Sequence, residues 1–386
     1  MIKIKDMSEC CGCHACFNSC PAKAIKMKIN EKGFLYPKVD ENKCIQCGLC
    51  EKVCPMKKHK KVNENPIKTY ACWNNDEKIR MQSSSGGIFT LLAKEIINDG
   101  GVVIGAKFNG NFEVIHTCAE TIEQLEEIRG SKYVQSSVGT TYQDVKEFLK
   151  EERKVLFTGT PCQIEGLKMF LGEKCKQDGL YTQDIVCHGV PSPKVWQVYL
   201  SYIREKMQED IEKINFRDKT KKGWTQYEIM ISGKQKVEST NVQNNLFMQA
   251  FLRNTCLRDS CYQCKFKKLR KESDITLGDF WGVDQVAPEM YDNKGTSLVI
   301  INTKKGEQLF EEILNQINYK EVAIKDAIKY NPSIVIPSKM DKKQNQFYEN
   351  LDKVSFEKLV KKYTHKSNRI VQKFERLLKK CEEKKR

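Results

Sequence analysis

The chain has 386 residues, with 66 Lys and Arg against 50 Asp and Glu, a formal net charge of +16 and 18 Cys. This length predicts about two to three domains with a sizeable core. The N-terminus has no apolar signal segment, and no apolar run approaches about 18 residues, which argues against a secreted disulfide protein and against a membrane-spanning helix. We therefore expect a cytoplasmic protein whose cysteines bind metal.

Two cysteine blocks near the N-terminus follow the same spacing, C-x2-C-x2-C-x3-C-P, and the second lies 34 residues after the first. Soft thiolates suit iron–sulfur clusters, and this spacing is typical of two-cluster ferredoxins, in which the fourth cysteine of a block ligates the other cluster. The proline after each block suits a chain that turns away from the cluster. The expected ligands are Cys10, Cys13, Cys16 and Cys54 for the first [4Fe-4S] cluster, and Cys44, Cys47, Cys50 and Cys20 for the second.

The alternative for these blocks is a pair of structural zinc sites, but zinc is usually bound by separated C-x2-C knuckles rather than by three cysteines at this spacing. Cys11 falls outside the register, and we expect it to be a bystander. Residues 22–43, with AIKMKI and FLYPKV on either side of Gly33, predict a β-hairpin between the blocks. Over residues 1–60 the chain resembles a bacterial two-cluster ferredoxin.

A polar, charged segment that contains a proline follows, and we place a linker at residues 61–72. The next motif is SSSGG at 83–87, which precedes an apolar helical run at 88–97. Serines and glycines before a helix supply N-cap groups. Exposed N–H groups at a helix end also attract phosphate, so a capped loop and a phosphate site both stay open for this motif.

The middle of the chain predicts alternating strands and helices, with a strand at 101–108, helices at 121–128 and 141–151, and then the strand KVLFTG. This last strand leads to Cys162 at the start of a helix, where the helix dipole is expected to lower the pKa of the thiol. Cys162 is thus a candidate reactive thiol or metal ligand, and a small buried cysteine is the alternative.

The same pattern recurs where the strand LYTQDIV ends at Cys187 and His188 and another helix follows. Cys162 and Cys187 occupy corresponding strand ends, and sites in open α/β sheets form beyond the carboxyl ends of the strands. His188 is expected to be a hydrogen-bonded turn residue, with a base or a ligand as the alternative. Farther along, Cys261 and Cys264 complete a third set of four cysteines, which no regular spacing reveals.

Five segments carry a resemblance to a known family. In chain order they are SSSGG, RGSKYVQS, KVLFTGTPCQ, DIVCHGVPSP and CYQCKFKKLRKESDITLGDFWG. Over about residues 70–320 the chain resembles the family of beta subunits of coenzyme F-420 hydrogenases and dehydrogenases. With the N-terminal blocks, it is similar to the bacterial ferredoxin-fused members, which are often associated with surface-polysaccharide gene sets. The sequence after Cys187 departs from that of archaeal hydrogenase members, which puts the deazaflavin substrate in doubt.

The resemblance implies a flavin, usually FAD, and a third [4Fe-4S] cluster in an α/β domain. For the third cluster the implied ligands are Cys162, Cys187, Cys261 and Cys264, with Cys256 as the substitute if one of these fails. For the flavin, the implied contacts are Ser85, Gly86, Gly87, Lys132 and Tyr133. A lysine beside the flavin would stabilise a reduced, anionic ring by its charge.

The expected fold class is an α+β ferredoxin-like two-cluster domain followed by an α/β flavin and iron–sulfur domain and a helical basic C-terminal tail. The expected domains are 1–60 for the two clusters, 61–72 for the linker, 73–153 for the flavin-region part, 154–320 for the part with the third cluster, and 321–386 for the tail. Residues Lys358 to Arg386 carry a net charge of +9. Helical spacing of apolar residues in this tail predicts amphipathic helices with a solvated basic face, and peripheral membrane contact or an acidic partner is the alternative.

Two functions follow from these expectations. In the first, electrons from a ferredoxin or another redox partner enter at the N-terminal clusters and pass through the third cluster to FAD. The flavin then reduces an organic small-molecule acceptor, because clusters carry single electrons and most organic reductions need two. In the second, the chain is an electron-transfer subunit of a larger redox complex and has no substrate of its own. Nucleic-acid binding is not expected, since no aromatic–basic interleaving or known motif accompanies the positive charge.

Overall fold

A computed structural model describes residues 1–57 and 68–364. Residues 61–67 of the expected linker and the apolar residues Ile370, Phe374, Leu377 and Leu378 of the tail lie outside the described residues. The strands of the described part are β1 (Ile25–Ile29), β2 (Leu35–Val39), β3 (Lys68–Asn74), β4 (Val102–Phe108), β5 (Val114–Ala119), β6 (Val155–Gly159), β7 (Leu180–Ile185), β8 (Lys213–Asp218), β9 (Glu228–Ser232), β10 (Val237–Asn241), β11 (Ile275–Asp279), β12 (Ser297–Ile301) and β13 (Ile317–Glu321).

The α-helices of the same ranges alternate with the strands in the middle of the chain. They are α1 (Ala15–Ser19), α2 (Leu49–Lys52), α3 (Glu77–Gln82), α4 (Ile88–Asn98), α5 (Ile122–Ile128), α6 (Thr141–Lys150), α7 (Pro161–Leu171), α8 (Pro193–Met207), α9 (Leu246–Leu252), α10 (Val283–Val286), α11 (Lys304–Glu311), α12 (Ile324–Tyr330), α13 (Gln344–Glu349) and α14 (Phe356–Thr364). Helices α4, α5 and α6 and strands β4 and β6 lie where the sequence predicts them, within one or two residues. Within the described part of the chain, no helix combines the length and the apolar character that a membrane crossing requires.

Eight strands form a mixed central sheet in the order β13-β3-β12-β11-β7-β6-β4-β5. Its centre is parallel, because β4 pairs with β6, β6 with β7, and β7 with β11 in that direction. Antiparallel strands complete both sides, β5 on one and β12, β3 and β13 on the other. The carboxyl ends of the parallel strands therefore lie along one edge, where α/β proteins form their sites.

Strand β3 corrects the expected boundary of the linker. We expected a linker at 61–72, but residues 68–72 belong to β3, between β12 and β13. Ala71 and Cys72 in this strand are fully buried, so the segment is part of the core rather than a solvated connection. The polar residues that precede it in sequence obscure this short apolar stretch.

The N-terminal module contains the expected hairpin, since β1 and β2 pair antiparallel from Ile25 opposite Val39 to Ile29 opposite Leu35. Gly33 in the turn has φ +85°, which favours glycine, and an added Cβ would lie 2.3 Å from the Lys194 Cβ. The hairpin turn thus packs against the start of α8. A two-stranded hairpin is marginal on its own, so this contact helps to hold the module in place.

One apolar core joins the N-terminal module to the central sheet. Ile2, Ile25 and Val53 of the module belong to the same buried cluster as Ile104 of β4 and Leu167 of α7. A separate core lies between α8, α9, α14 and the three-stranded antiparallel sheet β10-β9-β8, so the start of the expected helical tail packs on the body of the protein. The module and the sheet therefore share a continuous interior.

Candidate iron–sulfur centres and their surroundings

The four cysteines expected to hold the second cluster line one cavity. Its empty space, which is partly open to solvent, is about 360 Å³ and is bordered by Cys20, Cys44, Cys47 and Cys50 together with apolar residues of the hairpin. Two backbone N–H groups point at these sulfurs, that of Ile2 at Cys50 Sγ (3.2 Å) and that of Ala24 at Cys20 Sγ (3.3 Å). Cys20 comes from the other block, so the structure brings together the exchanged fourth cysteine that the spacing predicts.

The first set is gathered behind α1, deeper in the protein. Burial raises the pKa of the Cys16 thiol, and the nearby thiols of Cys10 and Cys54 raise it further. Cys13 is also buried and faces Cys10 and Cys16. The four expected ligands of the first cluster thus lie close together, although Cys54 is separated from the others by more than 30 residues.

The raised pKa values of the Cys13, Cys16 and Cys54 thiols indicate what the first set needs from a ligand. Thiols that stay protonated cannot bind iron, because the thiolate is the ligand form. A cationic iron–sulfur core supplies the positive charge that keeps buried thiolates ionised. Among the described residues, no group of three or more His, Cys, Asp or Glu side chains forms a cage for a single metal ion. Four thiols around a larger cavity fit the chemistry of a four-iron cluster, whose corners stand apart.

The third set lines a second cavity, of about 500 Å³, at the carboxyl edge of the sheet. Cys162 follows β6 in the first turn of α7, and Cys187 lies two residues beyond β7. Cys261 and Cys264 come from a 3-10 turn at Asp259–Gln263 and the residue after it. Strands β6 and β7 are neighbours, so cysteines 25 residues apart meet at one edge, and the turn brings in the other two.

A buried cation also faces this cavity. Lys267 Nζ is buried and has no hydrogen-bond partner among the described residues, and Lys267 and Lys271 both line the cavity. Burial lowers the pKa of Lys267, whereas the nearby Cys187, Cys264 and Cys261 act to raise it. An unpaired buried ammonium is costly, and four thiolates around an iron–sulfur core supply the negative charge that it lacks. The lining therefore fits an anionic cluster.

Cys256, the substitute ligand, does not line this cavity. Its side chain is fully buried in the core between α8 and α9, and burial raises the pKa of its thiol to about 12. His188 lines the cavity, but its Nε2–H donates to Asn254 Oδ1 at 2.6 Å, as the hydrogen-bonded turn residue that we expected. Its ring also packs edge-on against Phe251.

The expectation of a lowered pKa at Cys162 is wrong. Cys162 does lie at the start of α7, which begins with a capping box of Thr160 and Gln163. A hydrogen bond with Cys11 and burial nevertheless raise the pKa of the Cys162 thiol well above its usual value. The dipole of one helix end is a weaker influence than full desolvation and a neighbouring thiol.

Cys11 is the residue that the sequence analysis undervalued. We expected a bystander, but the Cys11 thiol is buried, and the nearby Cys13 and Cys162 thiols both influence its pKa. It also borders the cavity of the third set. Gly166, one turn after Cys162 in α7, lies against Cys13, since an added Cβ would stand 2.9 Å from Cys13 Sγ. The first and third sets therefore meet through Cys11 and α7.

The two segments expected around the flavin contact each other. The Ser131 N–H donates to Ser84 Oγ at 2.8 Å, and the two hydroxyl groups are also 2.8 Å apart. The serines do not cap α4, because Gly87 is its N-cap and no side chain closes the helix end. Position 86 has no room for a side chain, because a Cβ added to Gly86 would lie 2.4 Å from the Cys72 carbonyl oxygen.

Buried cations that the sequence analysis missed surround these segments. Lys219 Nζ donates to the Ser85 carbonyl (2.9 Å), and Arg217 donates to the Tyr133 hydroxyl (3.0 Å) and to Asp279 at the end of β11. Arg217 Nε is buried without a hydrogen-bond partner among the described residues. Lys132 instead donates to the carbonyls of Ile128, Arg129 and Gly130, which directs its charge to the end of α5.

This donor set fits an anionic cofactor in its chemistry. The uncapped N-terminus of α4 and the orphaned Arg217 Nε both offer N–H groups, and Lys219 adds a buried positive charge. Their signal in the sequence is weak, because isolated Arg and Lys residues in a chain with 66 of them carry no pattern. Only the fold brings them to the SSSGG and RGSKY segments.

A ferredoxin-type cysteine module on an α/β domain with a third cysteine set at its strand ends defines a class, the iron–sulfur redox proteins. Comparison with family models agrees and is more specific. The N-terminal part of the coenzyme F420 hydrogenase/dehydrogenase beta subunit matches residues 69–141, and its C-terminal part matches residues 152–327. A 4Fe-4S dicluster domain matches residues 9–58. The chain belongs to the family of coenzyme F420 hydrogenase/dehydrogenase beta subunits.

Individual relatives are more distant. An F(420)H(2) dehydrogenase subunit of Methanosarcina mazei is 22% identical over 329 residues, which cover 81% of this chain and 84% of that protein. The ketoisovalerate oxidoreductase subunit VorC of Methanothermobacter marburgensis is 41% identical over 49 residues, 12% of this chain and 62% of that protein. Both relatives are named as subunits of oxidoreductases.

Among solved structures, a chain of the F420-reducing [NiFe] hydrogenase complex of Methanosarcina barkeri, studied by xenon derivatization, is similar with a TM-score of 0.46 and 19% identity. The match covers 73% of this chain and 91% of that chain.

Proposed function

We propose that this protein passes electrons from a reduced redox partner through three [4Fe-4S] clusters to a flavin, which reduces an organic acceptor. The second cluster is the entry point, because its cavity lies on the outer side of the module and Cys47 is exposed. The first cluster follows, and the third lies at the carboxyl edge of the sheet. Each cluster is held by the four cysteines that share its site.

The observation that carries this proposal is the contact between the first and third cysteine sets. The Cys11 thiol lies near Cys13 of one set and Cys162 of the other, and Gly166, one turn after Cys162 in α7, lies against Cys13. Two clusters bound by sulfurs in such contact exchange electrons without movement of the module. No comparable contact would be needed if the N-terminal module were a separate metal-binding domain that only shares the chain.

A flavin would exchange single electrons from the clusters for the two-electron chemistry of an organic acceptor. The residues proposed to hold it are the backbone of Ser85, Gly86 and Gly87 with the side chain of Tyr133, supported by Arg217. Lys132 is the least suited of the expected contacts, since its ammonium already donates to the carbonyls at the end of α5. Lys219 lies beside the SSSGG segment, but its ammonium likewise donates to three carbonyls, those of Arg80, Ser85 and Lys294.

The acceptor follows from the relatives only as a class. A relative is named as an F420H2 dehydrogenase subunit, so the deazaflavin is one candidate acceptor or donor. The sequence Cys187-His188-Gly189 at the third cavity differs from that expected of archaeal members, which puts the deazaflavin in doubt. A nucleotide-linked sugar is the other acceptor we propose, from the association of ferredoxin-fused members with surface-polysaccharide gene sets.

Purification of the full chain without oxygen tests this proposal directly. We expect about twelve iron and twelve sulfide per chain and one FAD that is released on denaturation. Chemically reduced ferredoxin should then bleach the flavin, and an acceptor screened from deazaflavin and nucleotide-linked sugars should restore its colour. Iron and sulfide at this level with no flavin would remove the flavin step.

A second function is favoured by the surface beside the entry cluster. Ile45 is 67% exposed and lies next to the exposed Cys47, and Leu49 is also exposed. An exposed apolar rim around a cluster site is suited to a partner protein. In this alternative the chain is an electron-transfer subunit of a larger redox complex without its own substrate. Acceptor reduction only after addition of a second protein would favour this alternative.

A further inference from the structure

Arg258 is a fully buried arginine at the junction of the first and third cysteine sets. Its Nε donates to the Cys10 carbonyl (2.7 Å), Nη1 to the Gln135 side-chain oxygen (2.9 Å), and Nη2 to the Leu35 carbonyl (3.0 Å). Nη2 also lies 3.5 Å from Cys10 Sγ. The guanidinium thus contacts a sulfur that we assign to the first cluster, and its other acceptors are two backbone carbonyls and one side-chain amide oxygen.

Among the described residues, the other buried arginines are paired with carboxylates. Arg217 binds Asp279 and Arg80 binds Asp292. The carboxylate of the neighbouring Asp259 instead forms an ion pair with Lys32, with Nζ 2.8 Å from Oδ1. No carboxylate among the described residues hydrogen-bonds Arg258, and a buried charge without an opposite charge is strongly unfavourable. The opposite charge therefore has to come from something that binds at the cysteines.

We propose that Arg258 is the buried counter-charge of the first iron–sulfur cluster and that it sets the reduction potential of this cluster. The proposal rests on the function above, in that it requires a cluster at Cys10. Four thiolates around an iron–sulfur core carry net negative charge, which the guanidinium meets at Cys10 Sγ. Arg258 is a positioning residue, because it acts on the cluster through a ligand.

The surroundings of Arg258 strengthen its effect. The guanidinium carbon lies 4.1 Å from the ring centre of Tyr36, and Phe34 also faces it, so aromatic rings exclude water on this side. In such a low-dielectric site, an attractive charge pair is stronger than at the surface. Reduction adds one negative charge to the cluster, so a fixed positive charge stabilises the reduced form and raises the potential.

The same residue is linked to the third set. The Cys261 N–H donates to the Arg258 carbonyl at 2.9 Å, and Cys11 and Cys261 are among the groups that face the guanidinium. A positive charge between two anionic clusters also reduces their mutual repulsion. Arg258 thereby makes the first cluster a better acceptor for electrons from the second cluster. It lies at the contact between the first and third sets, through which the electrons pass on to the third cluster.

The test is a redox titration of the full chain, purified without oxygen and followed by electron paramagnetic resonance. In Arg258→Met we expect one of the three cluster potentials to become more negative by at least a tenfold change in its reduction equilibrium, which is about 59 mV for one electron. Arg258→Lys keeps the charge and should retain most of the wild-type potential. The control is the double variant Lys32→Gln with Asp259→Asn, which removes an ion pair at the same interface and keeps the net charge. It should leave all three cluster potentials unchanged.

A second variant covers the case in which Arg258→Met loses its clusters. Gln135→Glu places a carboxylate at the acceptor 2.9 Å from Arg258 Nη1 and neutralises the guanidinium in an almost unchanged shape. We expect the same negative shift. Wild-type potentials in a fully loaded Gln135→Glu protein would overturn the proposal, as would equal shifts in Arg258→Lys and Arg258→Met. Absence of iron and sulfide from the wild-type chain would instead contradict the proposed function itself.

Discussion

The N-terminal cysteine sets and the third set hold the same number of thiols but are assembled in different ways. Six of the eight N-terminal ligands come from two short loops that lead into α1 and α2, and one exchanged cysteine completes each set. The third set takes its cysteines from two strand ends and a distant turn, across residues 162–264. The first arrangement is local in sequence, whereas the second exists only once the sheet has formed.

This difference has a physical consequence for folding. A loop with closely spaced thiols binds iron at a small cost in chain entropy, but the third set closes loops of dozens of residues. Metal binding at the third set is therefore coupled to the stability of the sheet, because a preformed site is absent from the unfolded chain. We expect the N-terminal module to tolerate damage to the sheet better than the third set does.

The largest expected effect is the loss of a whole cluster. Cys187→Ala should remove the third cluster, about four iron atoms per chain, and leave the N-terminal clusters in place, because no other cysteine replaces it at the end of β7. Iron and sulfide analysis with electron paramagnetic resonance measures this. Cys256→Ala is the matched control, since Cys256 is buried nearby but does not line the cavity, and it should keep full iron content. Loss of iron in Cys256→Ala but not in Cys187→Ala would show that Cys256, rather than Cys187, is a ligand of the third cluster.

Lys267 is expected to play opposite roles in the protein without and with the third cluster. In the cluster-free protein, Lys267→Met removes a buried, unpartnered ammonium and should raise the free energy of unfolding by about 1–3 kcal/mol. In the loaded protein the same change removes a counter-charge, so the third cluster should become harder to reduce. Denaturant unfolding and a redox titration measure the two effects. The exposed Lys325→Met should change neither, and equal stability of both variants would contradict the expected cost of the buried charge.

Gly166 tests the contact between the two regions. A helix-interior Gly→Ala substitution normally stabilises a helix, but here the new Cβ would lie 2.8 Å from Cys13 Cβ and 3.0 Å from the Tyr142 hydroxyl. We therefore expect Gly166→Ala to destabilise the protein by about 1–2 kcal/mol and to disturb the first cluster before the second. Thermal unfolding and cluster spectra report this. Gly110→Ala, where nothing lies within 4 Å, provides the control. A stabilising effect at Gly166 would show that the contact is loose.

The smallest expected effect concerns acid. His14 in the N-terminal module and His116 in β5 are both buried, and burial lowers the pKa of each to about 4. The unfolded chain takes up the proton below its usual pKa of 6.5 but the folded chain does not, so stability falls as the pH drops from 6.5 towards 4. For His116 this amounts to about 1 kcal/mol between pH 7 and 5.5. His116→Gln should flatten the pH dependence measured by denaturant unfolding by that amount, and an unchanged slope would contradict the burial argument.

The sequence was most informative where the ligands are local. The register of the two blocks predicts which cysteines share a cavity, including the exchanged Cys20, and the hairpin around Gly33 is found as expected. The helices α4, α5 and α6 and the strands β4 and β6 also follow from apolar patterns, whereas strand β5 was not predicted. These features depend on neighbours in the chain, so spacing alone encodes them.

The remaining features depend on contacts between distant segments. Cys11 and Arg258 gain their roles only because α7 and the 3-10 turn pack against the first block, and no periodicity marks either residue. For SSSGG the sequence left a capped loop and a phosphate site open; Gly87 is the N-cap of α4, while Ser84 bonds Ser131 and Ser85 bonds the Thr296 carbonyl. Burial, which decides the pKa of Cys162, is likewise a property of the fold rather than of the helix end.

Helix α7 carries Cys162 in its first turn and touches Cys13 one turn later through Gly166. Helix α7 and the shared apolar core set the separation between the two sites. In the proposed function, electron exchange between clusters bound there would therefore be a unimolecular event. Its rate should not change with protein concentration. Extra residues inserted between positions 57 and 68 should leave it unaltered, since the length of the connecting chain does not set the distance.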